Sequence, residues 1–353
     1  MAQWVVVGLD NGGTSNNATV LDSGGRFLVD RLVENASFVQ QGPSIALDAL
    51  AAAFEHVLEL TGTTRSAVRA VGLDTPGPTS ADGVISSKGA TNFSDAAWRG
   101  FDFRAGLEQR LHLPIVYNND GNAAALYAHH QFFGSRAAHE SSVSAIVGTG
   151  LGGGVIVAGQ VVQGVAGMAG ELGHVHLPME GLLQENQPLP ACNCGFSGDA
   201  ESVASLKGIE KNLLPYWLSR YPDHELNDVA AIGQAAKLVR SYAEKNDPMA
   251  LQIFEQQAIA LGRLFTIAAN FTDPTAYFLG GGVVETAPEL REWFLATIRA
   301  NTVLREEQRR LTTLTLVPDL DMAGARGSAI AAFQSLPDAP DVTISRGTHA
   351  EHG

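Results

Sequence analysis

Two glycine-rich turns carry the clearest chemical signal in the sequence. Residues 5–13 and 145–153 each run from an apolar, strand-like stretch into a turn, and three glycines align when the stretches are superimposed. Glycine permits positive φ and lets main-chain N–H groups approach a ligand closely, and phosphate gains most from such a turn. The pair predicts a duplicated chain whose two halves hold one nucleotide. Two ordinary glycine-rich hairpins are the structural alternative, which the matched spacing disfavours.

An aspartate stands at the end of the first of these stretches. Asp10 precedes the turn formed by Gly12, Gly13 and Thr14. A carboxylate in this position can meet Mg²⁺, through water, beside the phosphates of a nucleotide. Aspartate is also common as a turn-capping residue, which is the structural alternative. We interpret Asp10 as part of a magnesium site.

Asn119 and Asp120 follow a predicted buried strand and precede a predicted helix. An acid in this position is held rigidly at the edge of a lobe. If a sugar hydroxyl attacks a γ-phosphate, the enzyme must orient that hydroxyl and accept its proton, and a carboxylate within hydrogen-bond reach does both. The pattern indicates Asp120 as a general base. The alternative is a cap for the helix that starts at Gly121.

Three further side chains are candidates for binding the hydroxyl groups of a sugar. Glu171 and His174 lie three positions apart in a glycine-rich segment, and Glu201 follows later in the chain. Carboxylates are strong acceptors for neighbouring hydroxyls. A histidine among glycines is often only a loop residue, so the structural alternative stays open for His174.

The two cysteines have a spacing that resembles a metal knuckle. Cys192 and Cys194 are followed by Asp199, and His174 or His176 would complete a tetrahedral zinc site with Asp199 as an oxygen ligand. Reduced cysteines without a metal are the alternative.

Two common nucleotide-binding patterns are not supported. Gly148, Gly150 and Gly153 match the dinucleotide fingerprint, and Glu171 lies near the distance expected of a ribose-binding acid. That fingerprint needs a helix after the turn, whereas residues 155–157 read as a strand. The sequence has no Walker-type phosphate loop either.

Composition limits the class of protein. The chain has 353 residues, 45% of them apolar and 17% charged, enough for two lobes with full cores. A net charge of -14 without clusters of lysine and arginine argues against nucleic acid as a partner. Residues 141–170 are uncharged, but nine glycines argue against a membrane span. We expect no signal segment, and two cysteines fit a reducing cytoplasm.

Hydrophobic periodicity predicts an α/β protein. In the first half, strands are predicted at 4–9, 18–21, 27–33, 68–73 and 114–117, and helices at 44–60, 101–111 and 121–133. In the second half, strands are predicted at 143–147, 155–158 and 276–279, and helices at 250–271 and 324–333. The strand at 68–73 leads into Asp74, and the strand at 276–279 leads into a third glycine turn, Gly280 to Gly282.

Three antiparallel strands followed by alternating helices and strands predict two ribonuclease-H-like lobes with a ligand cleft between them. We assign residues 1–120 plus about 324–336 to a small N-terminal lobe and residues 121–323 to a larger lobe that becomes helical after Glu201. The helix at 324–333 is expected to pack on the first lobe. Residues 337–353 are expected to form a loosely held tail.

Taken together, these motifs resemble the ROK sugar kinases of the actin, heat-shock-protein-70 and hexokinase superfamily. The resemblance runs from Val5 to about Phe333. It rests on Asp10-Asn-Gly-Gly-Thr14, Pro76-Gly77-Pro78, Asn119-Asp120-Gly-Asn-Ala-Ala, Gly148-Thr-Gly-Leu-Gly-Gly-Gly154, Ala169-Gly-Glu-Leu-Gly-His174, Cys192-x-Cys194-Gly-x-x-Gly198-x-x-Glu201 and Gly280-Gly-Gly282. The resemblance implies a homodimer that phosphorylates a hexose or hexosamine with ATP and Mg²⁺, usually at the 6-hydroxyl, and glucose is the acceptor we expect.

The same resemblance assigns roles to individual residues. It implies Asp120 as the base and sugar contacts from Asn92, Asn119, Glu171, His174 and Glu201. It implies that ATP is held by Gly12, Gly13, Thr14, Gly148, Thr149, Gly150, Gly280, Gly281 and Gly282, with Asp10 nearby.

The chain departs from the family pattern at two positions. Asp199 stands where the family has a third cysteine, which bears on zinc, and Ser15 stands where a lysine often follows the first glycine turn. The family's repressors carry an added DNA-binding segment before the first strand, and we expect a kinase here. The alternatives for the acceptor are an N-acylated hexosamine and another hexose, and the alternative for the donor is polyphosphate. A sugar-sensing protein without turnover is the alternative to a kinase.

Overall fold

The computed structural model describes residues 4–77, 80–86, 93–340 and 344. The first sheet contains β1 (Val5–Asn11), β2 (Ser15–Asp22), β3 (Glu34–Ala36), β4 (Val68–Thr75) and β5 (Ile115–Asn119). Its strand order is β3-β2-β1-β4-β5. The pairs β1–β2 and β2–β3 are antiparallel, and the pairs β1–β4 and β4–β5 are parallel.

The second sheet repeats this arrangement. It contains β6 (Ser142–Val147), β7 (Leu151–Val157), β8 (Gln160–Val161), β9 (Ala276–Gly280) and β10 (Thr313–Leu316). Its order, β10-β9-β6-β7-β8, places the five strands in the same relative positions as those of the first sheet. The aligned glycine turns of the sequence therefore follow equivalent strands, β1 and β6. The predicted α/β class with two ribonuclease-H-like sheets is confirmed.

Helices fill the connections between the strands. They are α1 (Pro43–Thr61), α2 (Phe103–Leu111), α3 (Asp120–Phe133), α4 (Leu206–Gly208), α5 (Leu214–Arg220), α6 (Ile232–Ala243), α7 (Pro248–Thr272), α8 (Pro288–Asn301), α9 (Glu306–Arg309) and α10 (Leu320–Gln334). One π-helical turn, Ile209–Leu213, joins α4 to α5. Within the part of the chain that the structure describes, no helix is both long and apolar enough to cross a bilayer.

The chain divides into two compact units. The first contains Met1–Ser142, Gly154–Gly170 and Val317–Gly353, and the second contains Val143–Gly153 and Glu171–Leu316. Helix α3 belongs to the first unit, whereas the lobe boundary predicted from the sequence lies after Asp120. The physical reason is close packing of α10 on α3, where a Cβ atom at Gly327 would lie 1.8 Å from the carbonyl oxygen of Ala123.

One predicted strand is wrong. Residues 27–33 form an isolated bridge between Phe27 and Leu21 rather than a strand, and the third strand is β3, at 34–36. In this segment Val29 and Val33 are buried while Leu32 is 37% exposed. The strict alternation of a regular strand is therefore absent.

At its start, the predicted loose tail is held by an ion pair. Both guanidinium NH2 groups of Arg69 donate to the Asp338 carboxylate, at 2.9 and 2.8 Å. Ile344 is buried as well. At these two positions the chain is anchored to the first unit. Residues 341–343 and 345–353 lie outside the described residues.

Helix α10 packs directly on the first sheet because two strand residues lack side chains. If Gly8 in β1 carried a Cβ atom, that atom would lie 1.9 Å from the backbone oxygen of Ala325. A Cβ atom at Gly72 in β4 would lie 1.9 Å from the backbone oxygen of Ser328. Real Cβ atoms do not approach backbone oxygens this closely, so larger residues would force the helix away from the sheet. This contact sets the position of α10 relative to the ends of β1 and β4.

We expect Gly72→Ala to destabilise the protein by about 1–3 kcal/mol, because the added methyl group overpacks the contact with Ser328. The matched control is Gly233→Ala on α6, where the new methyl group would meet only the flexible carboxyl group of Glu210, at 3.3 Å. Differential scanning calorimetry of both variants measures the effect. Equal melting temperatures would contradict the packing argument.

Candidate active site

Three neighbouring parallel strands bring acids to one edge of the first sheet. Asp10 in β1 is the register partner of Asp74 in β4, and Thr75 in β4 is the partner of Asn119 in β5. Asp120 follows directly as the first residue of α3. Ligands of α/β sheets are commonly bound at the carboxyl ends of strands. The sequence-predicted magnesium ligand Asp10 and the predicted base Asp120 thus share one sheet edge.

Asp10 is partly buried beneath the last helix. The side-chain amide of Asn17 donates to Asp10 Oδ2 at 3.2 Å, and a Cβ atom at Gly324 would lie 2.8 Å from Asp10 Cγ. Burial raises the pKa of Asp10, because removal from water disfavours the charged form. The turn that follows is tight, since the Gly12 N–H donates to the Ser15 oxygen at 2.8 Å. A cation beside Asp10 would stabilise its charged form.

Asn119, rather than Asp120, caps helix α3. The Asn119 Oδ1 atom accepts a hydrogen bond from the Asn122 N–H at 2.7 Å. Asp120 is exposed, and its Oδ1 atom accepts from the Gly121 N–H at 2.8 Å. The capping position named in the sequence analysis as the alternative role of Asp120 is therefore occupied by its neighbour. The Asp120 carboxylate is accessible to a substrate.

In the second unit, Glu201 is bound to the glycine turn. The Gly148 N–H donates to the Gly150 oxygen at 2.9 Å, which closes the turn. The Leu151 N–H donates to Glu201 Oε2 at 2.8 Å, and a Cβ atom at Gly150 would lie 2.5 Å from the same oxygen. Only glycine therefore allows this carboxylate to reach the turn.

The segment that carries Glu171 and His174 packs beside Glu201. The Glu201 N–H donates to the Gly173 oxygen at 2.8 Å, and the His174 N–H donates to the Glu171 oxygen at 3.1 Å. A Cβ atom at Gly173 would lie 2.4 Å from the Leu151 oxygen. The structure thus brings together the backbone of three residues that the sequence analysis assigned to sugar binding. Asn92, also assigned to the sugar, lies outside the described residues, as does Pro78.

Four side chains of the second unit converge in the way that a metal ion requires. Ligand atoms of His174, Cys192, Cys194 and Asp199 all lie within 4.8 Å of one another. Bond lengths of about 2.0–2.3 Å to a tetrahedral Zn²⁺ place ligand atoms roughly 3.3–3.8 Å apart, so small side-chain movements suffice to bind the ion. Among the described residues the histidine of this cluster is His174, not His176. The donors fit zinc.

Hydrogen bonds tie this cluster to the predicted sugar-binding residues. His174 Nδ1 lies 3.2 Å from Asp199 Oδ2, and the Cys192 thiol donates to Glu201 Oε1 at 3.4 Å. Hydrogen bonding to Asp199 raises the pKa of His174 to about 9. Burial alone would raise the pKa of Asp199. Hydrogen bonds outweigh this effect and lower the pKa to about 2, and the hydrogen bond with His174 contributes most. The cluster and Glu201 therefore form one connected polar network.

A largely apolar cavity of about 380 Å³ lies beside two of the predicted ATP-binding turns. Its walls include Gly148 and Thr149 of one turn and Gly282 of the other. The rest of its lining is Val147, Leu206, Ile209, Ala236, Lys237, Arg240, Phe254, Gln257 and Val283. The volume and the apolar lining are typical of small-molecule sites. Within this unit, the turns at 148–150 and 280–282 border one site.

The structure adds residues that the sequence analysis did not assign. Lys237 and Arg240 line the cavity from α6, and Arg240 donates to the Gly282 oxygen at 2.9 Å. Asp74 is buried next to Asp10. A sequence signal existed for Asp74, since Asp74 in β4, like Asp10 in β1, is the penultimate residue of a strand that leads into a glycine-containing turn.

Comparison with known proteins agrees with this geometry. The ROK family model matches residues 6–335. The glucokinase of Halalkalibacterium halodurans is 32% identical over 287 residues, which cover 80% of this chain and 82% of the relative. A ROK hexokinase from Thermus thermophilus has a TM-score of 0.73 at 29% identity, with 94% of this chain and 98% of that chain covered.

A second solved structure carries ligands. It is a ROK family glucokinase from Streptomyces griseus in complex with glucose and AMPPNP, which has a TM-score of 0.66 at 29% identity over 94% of this chain and 99% of that chain. The family model and the 32% identical relative both span most of the sequence. The chain therefore belongs to the ROK family.

Proposed function

We propose that this ROK-family chain transfers the γ-phosphate of ATP to the 6-hydroxyl of glucose, with Asp120 as the general base. The coarser conclusion, that the chain is a sugar phosphotransferase of the glucokinase type, rests on its relatives. The observation that supports the finer proposal most strongly is the exposed Asp120 carboxylate on the same sheet edge as Asp10. ATP as the donor is supported by the AMPPNP complex of the Streptomyces griseus glucokinase.

The proposed mechanism gives each group of residues a separate task. Asp120 accepts the proton of the attacking hydroxyl as the bond from oxygen to phosphorus forms and the bond to ADP breaks. Asp10 would hold Mg²⁺, which would neutralise the negative charge of the triphosphate. Backbone N–H groups of the turns at 12–14, 148–150 and 280–282 bind phosphate oxygens. The cavity beside Thr149 and Gly282 accepts the adenosine part.

We assign recognition of the sugar to Asn119, Glu171, His174 and Glu201, and to Asn92 from sequence alone. His174 directs Nδ1 toward Asp199, which leaves Nε2 for a sugar hydroxyl. A zinc ion bound by His174, Cys192, Cys194 and Asp199 would fix the orientation of this imidazole. Homodimer formation and a cytoplasmic location remain predictions from the sequence.

The assay that tests the proposed function is ADP release coupled to NADH oxidation, over a panel of sugars. We expect the highest kcat/KM with glucose and lower values with mannose, galactose and N-acetylglucosamine, because the assigned carboxylates accept hydrogen bonds from sugar hydroxyls, and the Nε2–H group of His174 donates one, in fixed directions. Higher kcat/KM with N-acetylglucosamine would assign the chain to the N-acylhexosamine alternative. Absence of turnover with every sugar, together with calorimetric binding of a sugar, would identify a sensor and refute catalysis.

The identity of the phosphoryl donor is tested in a separate experiment. Formation of glucose 6-phosphate from ATP and from polyphosphate is compared at equal phosphate concentration. We expect faster turnover with ATP, because the apolar cavity can bind the adenine ring of ATP, whereas polyphosphate has no apolar group to place there. Equal rates with both donors would contradict the assignment of the cavity to adenosine.

A further inference from the structure

Asp74 forms a buried acid pair with Asp10. The two residues are register partners on the parallel strands β1 and β4, so their Cα atoms are about 4.8 Å apart, the ordinary strand spacing. Asp74 is completely buried, whereas Asp10 is only partly buried and leaves the pair open on one side. Two acids are thus held side by side at the sheet edge where Asp120 also lies.

One oxygen of Asp74 lacks a hydrogen-bond donor. Ser328 on α10 donates to Asp74 Oδ2 at 2.8 Å, whereas no N–H or O–H donor of another described residue reaches Oδ1. The other polar group within hydrogen-bond range of Asp74 is the Asp10 carboxyl group. A buried polar atom without a partner costs about 1–3 kcal/mol, and such atoms often mark the place of an unseen water or ion. The position of Ser328 is set by the contact of α10 with Gly72. The lone oxygen is therefore held in place by the fold.

Two neighbouring carboxylates repel each other, and a positive charge beside them would remove this repulsion. Asp74 is fully buried beside Asp10, and Asp120 follows the neighbouring strand β5, so three carboxyl groups lie at one sheet edge. Among the residues that the structure describes, neither Asp10 nor Asp74 takes part in an ion pair with a lysine, arginine or histidine. The protein offers no counter-charge of its own at this point.

We propose that Asp74 is the second carboxylate of the divalent-cation site, so that Asp10 and Asp74 together bind Mg²⁺ or Mn²⁺ before the nucleotide arrives. Mg²⁺ in phosphoryl-transfer enzymes is commonly held by one or two carboxylates plus phosphate oxygens and water. The inference rests on the proposed function only for its use in catalysis, because cation binding by the free protein needs neither ATP nor a sugar. Asp74 thereby extends the role that the sequence assigned to Asp10 alone.

The test measures Mn²⁺ binding to the nucleotide-free protein by electron paramagnetic resonance, with Mg²⁺ as the competitor. We expect one site per chain in the wild type, and binding about 10- to 100-fold weaker in Asp74→Asn, comparable to the loss of a ligand or its support. Asp102→Asn is the matched control, since Asp102 caps α2 in the same unit and asparagine caps equally well. This control should bind Mn²⁺ like the wild type.

The asparagine variant also separates a cation site from a shared proton. An amide at position 74 reproduces a protonated carboxyl that donates to Asp10. If the pair is joined only by a proton, Asp74→Asn will bind Mn²⁺ as the wild type does, and the proposal is overturned. Absence of Mn²⁺ binding by the wild type, which needs no variant to fold, would overturn it as well.

Thermal melting provides a second readout that is independent of activity. Without metal, Asp74→Asn should melt at or above the wild-type temperature, because the repulsion between two buried acids is removed. At the same Mn²⁺ concentration, the melting temperature of the wild type should rise by more than that of the variant, because the variant binds the ion more weakly. Mn²⁺ binding without turnover of any sugar would leave this site standing while the proposed kinase function fails.

Discussion

We expect Asp120→Asn to lower kcat by about 10²- to 10⁴-fold while changing the affinity for the sugar by only a small factor. The asparagine side chain retains a carbonyl oxygen that can accept from Gly121 and from a sugar hydroxyl, but it cannot take up the proton. This loss corresponds to about 3–5 kcal/mol of transition-state stabilisation. Steady-state kinetics and calorimetric sugar titration of the purified variant measure the two quantities separately.

The control for this prediction is again Asp102→Asn, which changes an aspartate at the start of another helix of the first unit. We expect its kcat to match that of the wild type. An Asp120→Asn enzyme with unchanged kcat would show that another group accepts the proton. A variant that loses sugar affinity to the same extent as kcat would instead assign Asp120 to substrate binding.

The second large effect is expected from the four-residue cluster of the second unit. His174→Asn should abolish stoichiometric zinc, lower the melting temperature by about 5–10 °C, and raise KM for the sugar. The temperature shift corresponds to roughly 2–3 kcal/mol for a unit of this size. The physical reason is that metal binding stabilises the fold, and that the Cys192 thiol and the His174 segment both contact Glu201 or its backbone.

The matched control is His176→Asn, because His176 is an exposed histidine two positions away and outside the cluster. Inductively coupled plasma emission gives the metal content, and scanning calorimetry gives the melting temperature. We expect one zinc per chain in the control and in the wild type. Wild-type protein purified without metal, with a melting temperature that chelation does not change, would show that these cysteines are simply reduced thiols.

The local sequence determined which functional side chains lie at the carboxyl end of each strand. Asp10 lies near the end of β1 and Asp120 directly follows β5, and both strands were predicted because a buried strand is recognisable from its continuous run of apolar residues. The two aligned glycine turns likewise predicted two related sheets, since close packing and tight turns leave little choice but glycine. These features depend on residues near one another in the chain.

Tertiary structure decided which of these groups meet. Nothing local to residue 74 shows that Asp74 is the partner of Asp10, because the register of β1 and β4 joins positions far apart in the chain. The choice of His174 over His176 for the cluster depends in the same way on the backbone hydrogen bonds between residues 198–201 and residues 173–177. Long-range packing, and not the spacing within a motif, sets these distances, and local periodicity carries no information about it.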